Sequence, residues 1–333
     1  MARCGAALAA LMIFGGVSLR LSFGQAPPVI LAVDVDKVVV YEGDVSDVTK
    51  LATTATETTG TPANNFYPVL WIADIVAVNG TPARGTWTVK GNLLSLSKTP
   101  TPGVAIADSS AALFFDWVFD IQQADGTPVG TIMASGWGGA AKPPGSPSSF
   151  IQANMAVTGG TGAFLGVRGQ AAQGGNTVSP RQASMSEDPA LRRILGGGTR
   201  RYIFHLFPLF QPQVLAGPAG PAIFHPDFTP VTADKPARAG EILIAQASGL
   251  GPTVPGVDPG NPFPADPLQP VNSPIQVSVN GQPGDVINRI GWPGRVDVYR
   301  VDFRLPQSIS GKIASIQLIT AWIPGPAVPI PVQ

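Results

Sequence analysis

The sequence predicts an all-β fold: an antiparallel β-barrel followed by an Ig-like β-sandwich. Three observations carry this expectation. Charged residues are only 13% of the 333, about half the usual share of roughly 25%. Glycine (39) and proline (35) are over-represented, as in chains of many short strands joined by tight turns. Apolar residues still reach 44%, enough to give each of two domains its own core.

The N-terminus reads as a targeting segment, 1–24. Arg3 supplies a positive start, and Gly5 to Val17 is an apolar run too short to span a bilayer. Small residues place cleavage after Gly24. A short membrane anchor with Arg20 at its edge is the alternative. Cys4 is the only cysteine and lies inside this segment. The mature chain would hold no thiol, which excludes disulfides, thiolate catalysis and Cys-ligated metals. An exported chain without disulfides suits a bacterial envelope, secreted or periplasmic.

Residues 28–65 read as an extended segment with Val38-Val39-Val40 at its heart, then a Thr-rich loop. The barrel is expected over 66–210. Tyr67 to Val78 ends at Asn79-Gly80, the strongest short hairpin signal, and Gly85 to Ser95 follows. Ala111 to Ile121 alternates: Leu113, Phe115, Trp117 and Phe119 point one way, Phe114, Asp116, Val118 and Asp120 the other. Val129 to Trp137, Phe150 to Val157, Leu165 to Gln173 and Tyr202 to Phe210 complete an up-and-down series, the order of a closed barrel or curled sheet. One stretch, Asp188 to Leu195, has helical character, enough for a turn or two.

Residues 211–224 are Pro/Gly-rich and uncharged, the composition of a linker. Over 225–324, five short strand signals at roughly ten-residue spacing, with Asn280-Gly281 as a hairpin, follow the pattern of an Ig-like sandwich. A Pro-rich extended tail, 325–333, closes the chain.

Asn154 to Gln170, NMAVTGGTGAFLGVRGQ, resembles the signature of dirigent proteins and the allene oxide cyclase barrel superfamily. The likeness spans roughly Phe66 to Pro208. It implies an apolar barrel that confines a reactive small molecule, and a homo-oligomer, a trimer. The motif glycines Gly159, Gly160, Gly162, Gly166 and Gly169 read as structural, because a tight strand-to-strand turn needs positive φ and close backbone approach. Read as a phosphate loop, the same string would require a helix after it, and the next residues look like a strand. Phe164 is expected to plug the barrel end, and Arg168 to pair with Asp116 or Asp120. The second half, with Asp234-Lys235-Pro236-Ala237, Gly240-Glu241 and Ala247 to Pro252, is similar to the Ig-like C-terminal module of many secreted acidobacterial proteins. That likeness implies a spacer or adhesion unit.

No catalytic constellation is visible. The two histidines, His205 and His225, lack partners at metal-ligand spacing, so neither a metal nor a cofactor is expected. No Gly-x-Ser-x-Gly elbow exists to carry a serine nucleophile. Net charge is zero and the basic residues are scattered, which argues against nucleic acid. No stable membrane span is expected after signal cleavage. Asp74, Asp116 and Asp120 could serve paired-acid chemistry only if they share one cavity. The candidate ligand-binding residues are Trp71, Trp117 and Trp137 as lining, with Asp116, Asp120 and Arg168 as polar anchors. Two functions remain open. One is a non-catalytic protein binding a small apolar or glycan ligand. The other is a cofactor-free isomerase or coupling guide. A filled barrel favours the first, a hollow one with a buried Asp or Arg the second.

Overall fold

The structure, a computed structural model, describes residues 28–42, 65–95, 112–142, 145–175, 178–183 and 187–333. The expected signal segment and the Thr-rich stretch 49–61 lie outside the described residues. The fold is all-β, a closed antiparallel barrel followed by a second sheet folded into a sandwich. No helix among the described residues is long and apolar enough to cross a membrane.

The barrel consists of β1 (Val29–Glu42), β2 (Asn65–Val78), β3 (Thr81–Ser95), β4 (Ala112–Gln123), β5 (Pro128–Ala141), β6 (Gln152–Gly160), β7 (Arg168–Gln173) and β9 (Gly198–Phe207). Each strand pairs antiparallel with the next, and β1 closes the ring by pairing with both β2 and β9. A two-residue strand, β8 (Arg181–Gln182), adds in parallel to β1.

Alternation sets the wall. On β4, Phe115, Trp117 and Phe119 are buried while Phe114, Asp116 and Val118 are exposed, as the period-two pattern requires. β1 breaks its register between Asp36 and Val39, with Lys37 at φ 57°, so Val35, Val38 and Val40 all face the core. The Asn79-Gly80 hairpin forms as expected, both residues at positive φ.

The barrel has two unlike ends. At its base, β2 and β3 meet in the two-residue turn, and β6 passes to β7 through a three-residue 3₁₀ turn, Gly162–Phe164. β1, β3, β5 and β7 end, and β2, β4, β6 and β9 begin, at the opposite end, the mouth. The expected helical stretch is a 3₁₀ turn, Pro189–Leu191, running into the single-turn α1 (Arg192–Leu195), with Asp188 accepting the Ala190 N–H at 2.8 Å.

The second domain contains β10 (Gln213–Val214), the small hairpin β11 (Ala216–Gly217) and β12 (Gly220–Pro221), β13 (Ile223–Phe224), β14 (Ile242–Ser248), β15 (Ile275–Val279), β16 (Gln282–Gly291), β17 (Tyr299–Arg304), β18 (Ile313–Thr320) and β19 (Ile323–Pro331). β16 changes layers: Gln282–Gly284 pair with β15, and Asp285–Gly291 pair with β17. Strands that switch sheets in this way form the corner of a sandwich. Between the layers lie Leu243, Val277, Val301, Phe303, Ile316 and Leu318. Within 211–224, β10 and β13 both pair with β14, and the Pro-rich end is the edge strand β19.

The domains share a contact that the linker composition does not suggest. Ala321 and Trp322 turn β18 into β19 at φ 47° and 62°. Ala321, Trp322 and Ile323 belong to the barrel's apolar cluster, not the sandwich's. Beside this turn Gln123 donates to the Asn272 carbonyl at 2.7 Å, and the Asn272 amide donates to the Pro128 carbonyl.

Candidate functional site: the barrel lumen and mouth

The lumen is filled by rings at mid-height. Tyr202 of β9 lies 4.8 Å from Trp117 of β4 and 4.6 Å from Trp87 of β3, centroid to centroid. Phe119 lies 4.9 Å from Phe204. β4 and β9 stand four strands apart in either direction around the ring, so these are contacts across the lumen. An eight-stranded barrel is narrow enough for side chains to fill it. Trp87 and Phe119 are almost completely buried, each stabilising the fold by roughly 1.5–3 kcal/mol through burial.

Nearer the mouth the lining turns polar. Trp71 packs edge-on against Trp87 and Phe115 at 6.1 and 6.0 Å. The Arg200 guanidinium sits over the Trp71 ring, 5.0 Å from its centroid, within cation–π range. Arg200 Nη1 donates to Gln173 Oε1 at 2.6 Å, and Gln152 Nε2 donates to the same oxygen at 2.9 Å. Among the described residues no carboxylate is within ion-pair distance of Arg200, and burial lowers its pKa from the ordinary value. A guanidinium nonetheless keeps its charge. Arg200 and Trp71 are each only partly buried.

The surplus is all of one kind. Among the described residues, Arg200 Nε and the indole N–H groups of Trp71, Trp87 and Trp117 are buried without a partner. Buried donors left unpaired are costly. Of these, Arg200 and Trp71 lie nearest the mouth, and the complement to that pair is an acceptor-rich ligand.

The sequence-expected residues divide between the two faces of the wall. Trp71 and Trp117 line the interior. Trp137 is on the outer face, stacked edge-on with Phe114 at 5.6 Å, because Gly136 takes the inward position beside it. Asp116 and Asp120 are also outside; Asp120 accepts from Gln122 Nε2 at 3.3 Å. Arg168 does not pair with either aspartate. It donates to the carbonyls of Thr158 and Val167, and β7 lies three strands from β4, roughly 14 Å at the usual spacing. Asp74 is outside too, where Arg192 and Arg193 hold its carboxylate. The three aspartates share no cavity.

The glycine motif is a bend. Gly159 and Gly160 end β6, Gly162 opens the 3₁₀ turn, and Gly166 (φ 73°) precedes β7. A Cβ on Gly160 would lie 2.5 Å from the Phe164 carbonyl oxygen, and one on Gly169 only 1.9 Å from that of His205. Three residues of 3₁₀ turn offer no helix N-terminus to a phosphate. The strand expected from Leu165 begins at Arg168, and Phe164 is buried in the barrel cluster, as expected.

His205 faces outward against Phe150 at 5.0 Å, and burial lowers its pKa. His225 Nδ1 is 2.6 Å from Glu241 Oε1. Among the described residues no group of three His, Cys, Asp or Glu side chains is placed to hold a metal.

Sequence reasoning missed Arg200, Gln173 and Gln152. Arg200 was detectable: it shares the phase of Tyr202, Phe204 and Leu206, and lies just before the strand read as starting at Tyr202. Gln152 faces inward only because register shifts between Gln152 and Met155, where Ala153 has φ 78°, an irregularity with no clear sequence mark.

No family model matches the chain, and neither a curated protein nor a solved structure matches it.

Proposed function

We propose that the chain is an exported, non-catalytic, dirigent-like barrel protein that binds a small apolar or glycan ligand at its mouth, carried by an Ig-like module. The observation that supports this reading best is the set of ring contacts across the lumen, which leaves no room at mid-height to enclose a substrate. The donor surplus around Arg200, with the Trp71 ring beneath it, favours a glycan bearing a carboxylate. Arg pairs bidentately with such a group, and the Trp71 ring holds the guanidinium in place from the other side. The second reading, a cofactor-free isomerase, has one observation in its favour, the cation on an inward position.

Thermal shift with neutral and acidic oligosaccharides and with apolar small molecules tests the proposal. A ligand at about a hundred times its Kd adds about 2.7 kcal/mol, a rise of roughly 5–10 °C for a domain of this size. Acidic oligosaccharides should produce that rise, and Arg200→Met should weaken their binding by roughly tenfold or more. No response to any glycan or apolar compound, or an equal response from Arg200→Met, would count against it. Product formation from a bound apolar compound would favour the second reading.

A further inference from the structure

At the other end of the barrel, a cleft of about 1590 Å³ opens between the base and the sandwich. Its wall carries five of the exposed large apolar side chains among the described residues: Ile30 (57% exposed), Leu165 (62%), Phe207 (36%), Leu209 (60%) and Phe210 (65%). Exposed apolar residues scattered singly need no explanation, but a contiguous set marks a binding surface. The sandwich side contributes Thr320 and Trp322, 4% and 7% exposed. Among the described residues, Thr320 Oγ1 and Trp322 Nε1 have no hydrogen-bond partner. Tyr299 also lines the cleft, but its hydroxyl is already committed to the Gly251 carbonyl at 2.7 Å.

We propose that this cleft binds a neutral, long-chain lipid-like molecule, an alcohol, ester or acylglycerol, through its alkyl chain and one oxygen. Three observations select that class. The volume exceeds the roughly 300–1,000 Å³ of a compact ligand site. Among the described residues the only charged ones lining it are Asp258 and Asp297, both exposed, so a carboxylate or phosphate head would meet like charge there and no cation. The buried unpaired groups are a hydroxyl and an indole N–H, enough for one ester or alcohol oxygen. An extended peptide would instead bring an N–H and a C=O with every residue, far more than this wall can satisfy. The site is independent of the mouth, so its test does not depend on Arg200.

The full exported chain is titrated with 1-monopalmitoylglycerol and, separately, with palmitate, each below its aggregation threshold, at mildly alkaline pH. Native mass spectrometry gives the stoichiometry and tryptophan fluorescence the affinity. The neutral lipid should bind one per chain, and palmitate roughly tenfold more weakly or worse. Phe210→Asp, at an exposed position that folding tolerates, should weaken the neutral lipid by roughly tenfold or more. Trp322→Phe keeps the ring and removes the donor, for a loss of about fivefold. Absence of binding, equal binding of palmitate, or an unaffected Phe210→Asp overturns the proposal. So does a dimer in light scattering that Phe210→Asp dissolves, since a second copy would then occupy the cleft.

Discussion

Single residues carry sharply different weights within one motif. Gly169 has φ 151° and its Cβ would overlap the His205 carbonyl, whereas a Cβ on Gly159 meets only the end of the flexible Arg168 side chain at 3.3 Å. Gly169→Ala should therefore cost about 3 kcal/mol or more, or prevent folding. Gly159→Ala should cost less than about 1 kcal/mol. Urea denaturation of the two variants reads the difference, and equal losses would contradict the bend geometry. His205 gives a pH signature. Its folded pKa lies below the unfolded value of about 6.5, so the unfolded chain takes up the proton first as pH falls. Its contribution is intact above that value, declines as pH drops toward the folded pKa, and then levels off. Thermal midpoints compared from neutral to mildly acidic pH should fall more steeply for the wild type than for His205→Gln, and equal slopes would contradict the burial of this ring.

Strands and turns were the most legible level. The Asn-Gly hairpins and the alternation on β4 are local signals, and local physics determines them. Where a bulge intervened the phase was lost: the break in β1 and the shift beside Ala153 re-aim side chains without any compositional mark. Trp137 was misplaced for a related reason, since Gly136 gives an inward position no side chain to announce it. Arg200 went unread because its strand, which begins at Gly198, was begun four residues late. The 211–224 segment shows the same limit, as Pro and Gly are compatible with both a linker and short edge strands. The Ala321-Trp322 turn carries no glycine, so nothing in it foretold a plug. Trp322→Ala should cost about 3–5 kcal/mol, and hydrogen exchange should show lost protection at β1, β6 and β9 near the barrel base as well as in β18 and β19. Loss confined to the sandwich would contradict the shared core.

At the scale of the whole molecule, the barrel is closed at its base by the sandwich and polar at its mouth, with an aromatic cluster between. That polarity separates two surfaces, the Arg200 region and the lower cleft, each with its own chemistry. The short turns join strands at the base, so the plugging contact forms where those connections are tight. All of this depends on rings from opposite walls meeting in the lumen. Nuclear Overhauser contacts between the Trp117 and Tyr202 rings, placed 4.8 Å apart across the barrel, measure that directly. Strong cross-peaks between them, and between Phe119 and Phe204, are the predicted result. Their absence, with the Trp117 ring instead close to water, would mean an open lumen and would contradict the account.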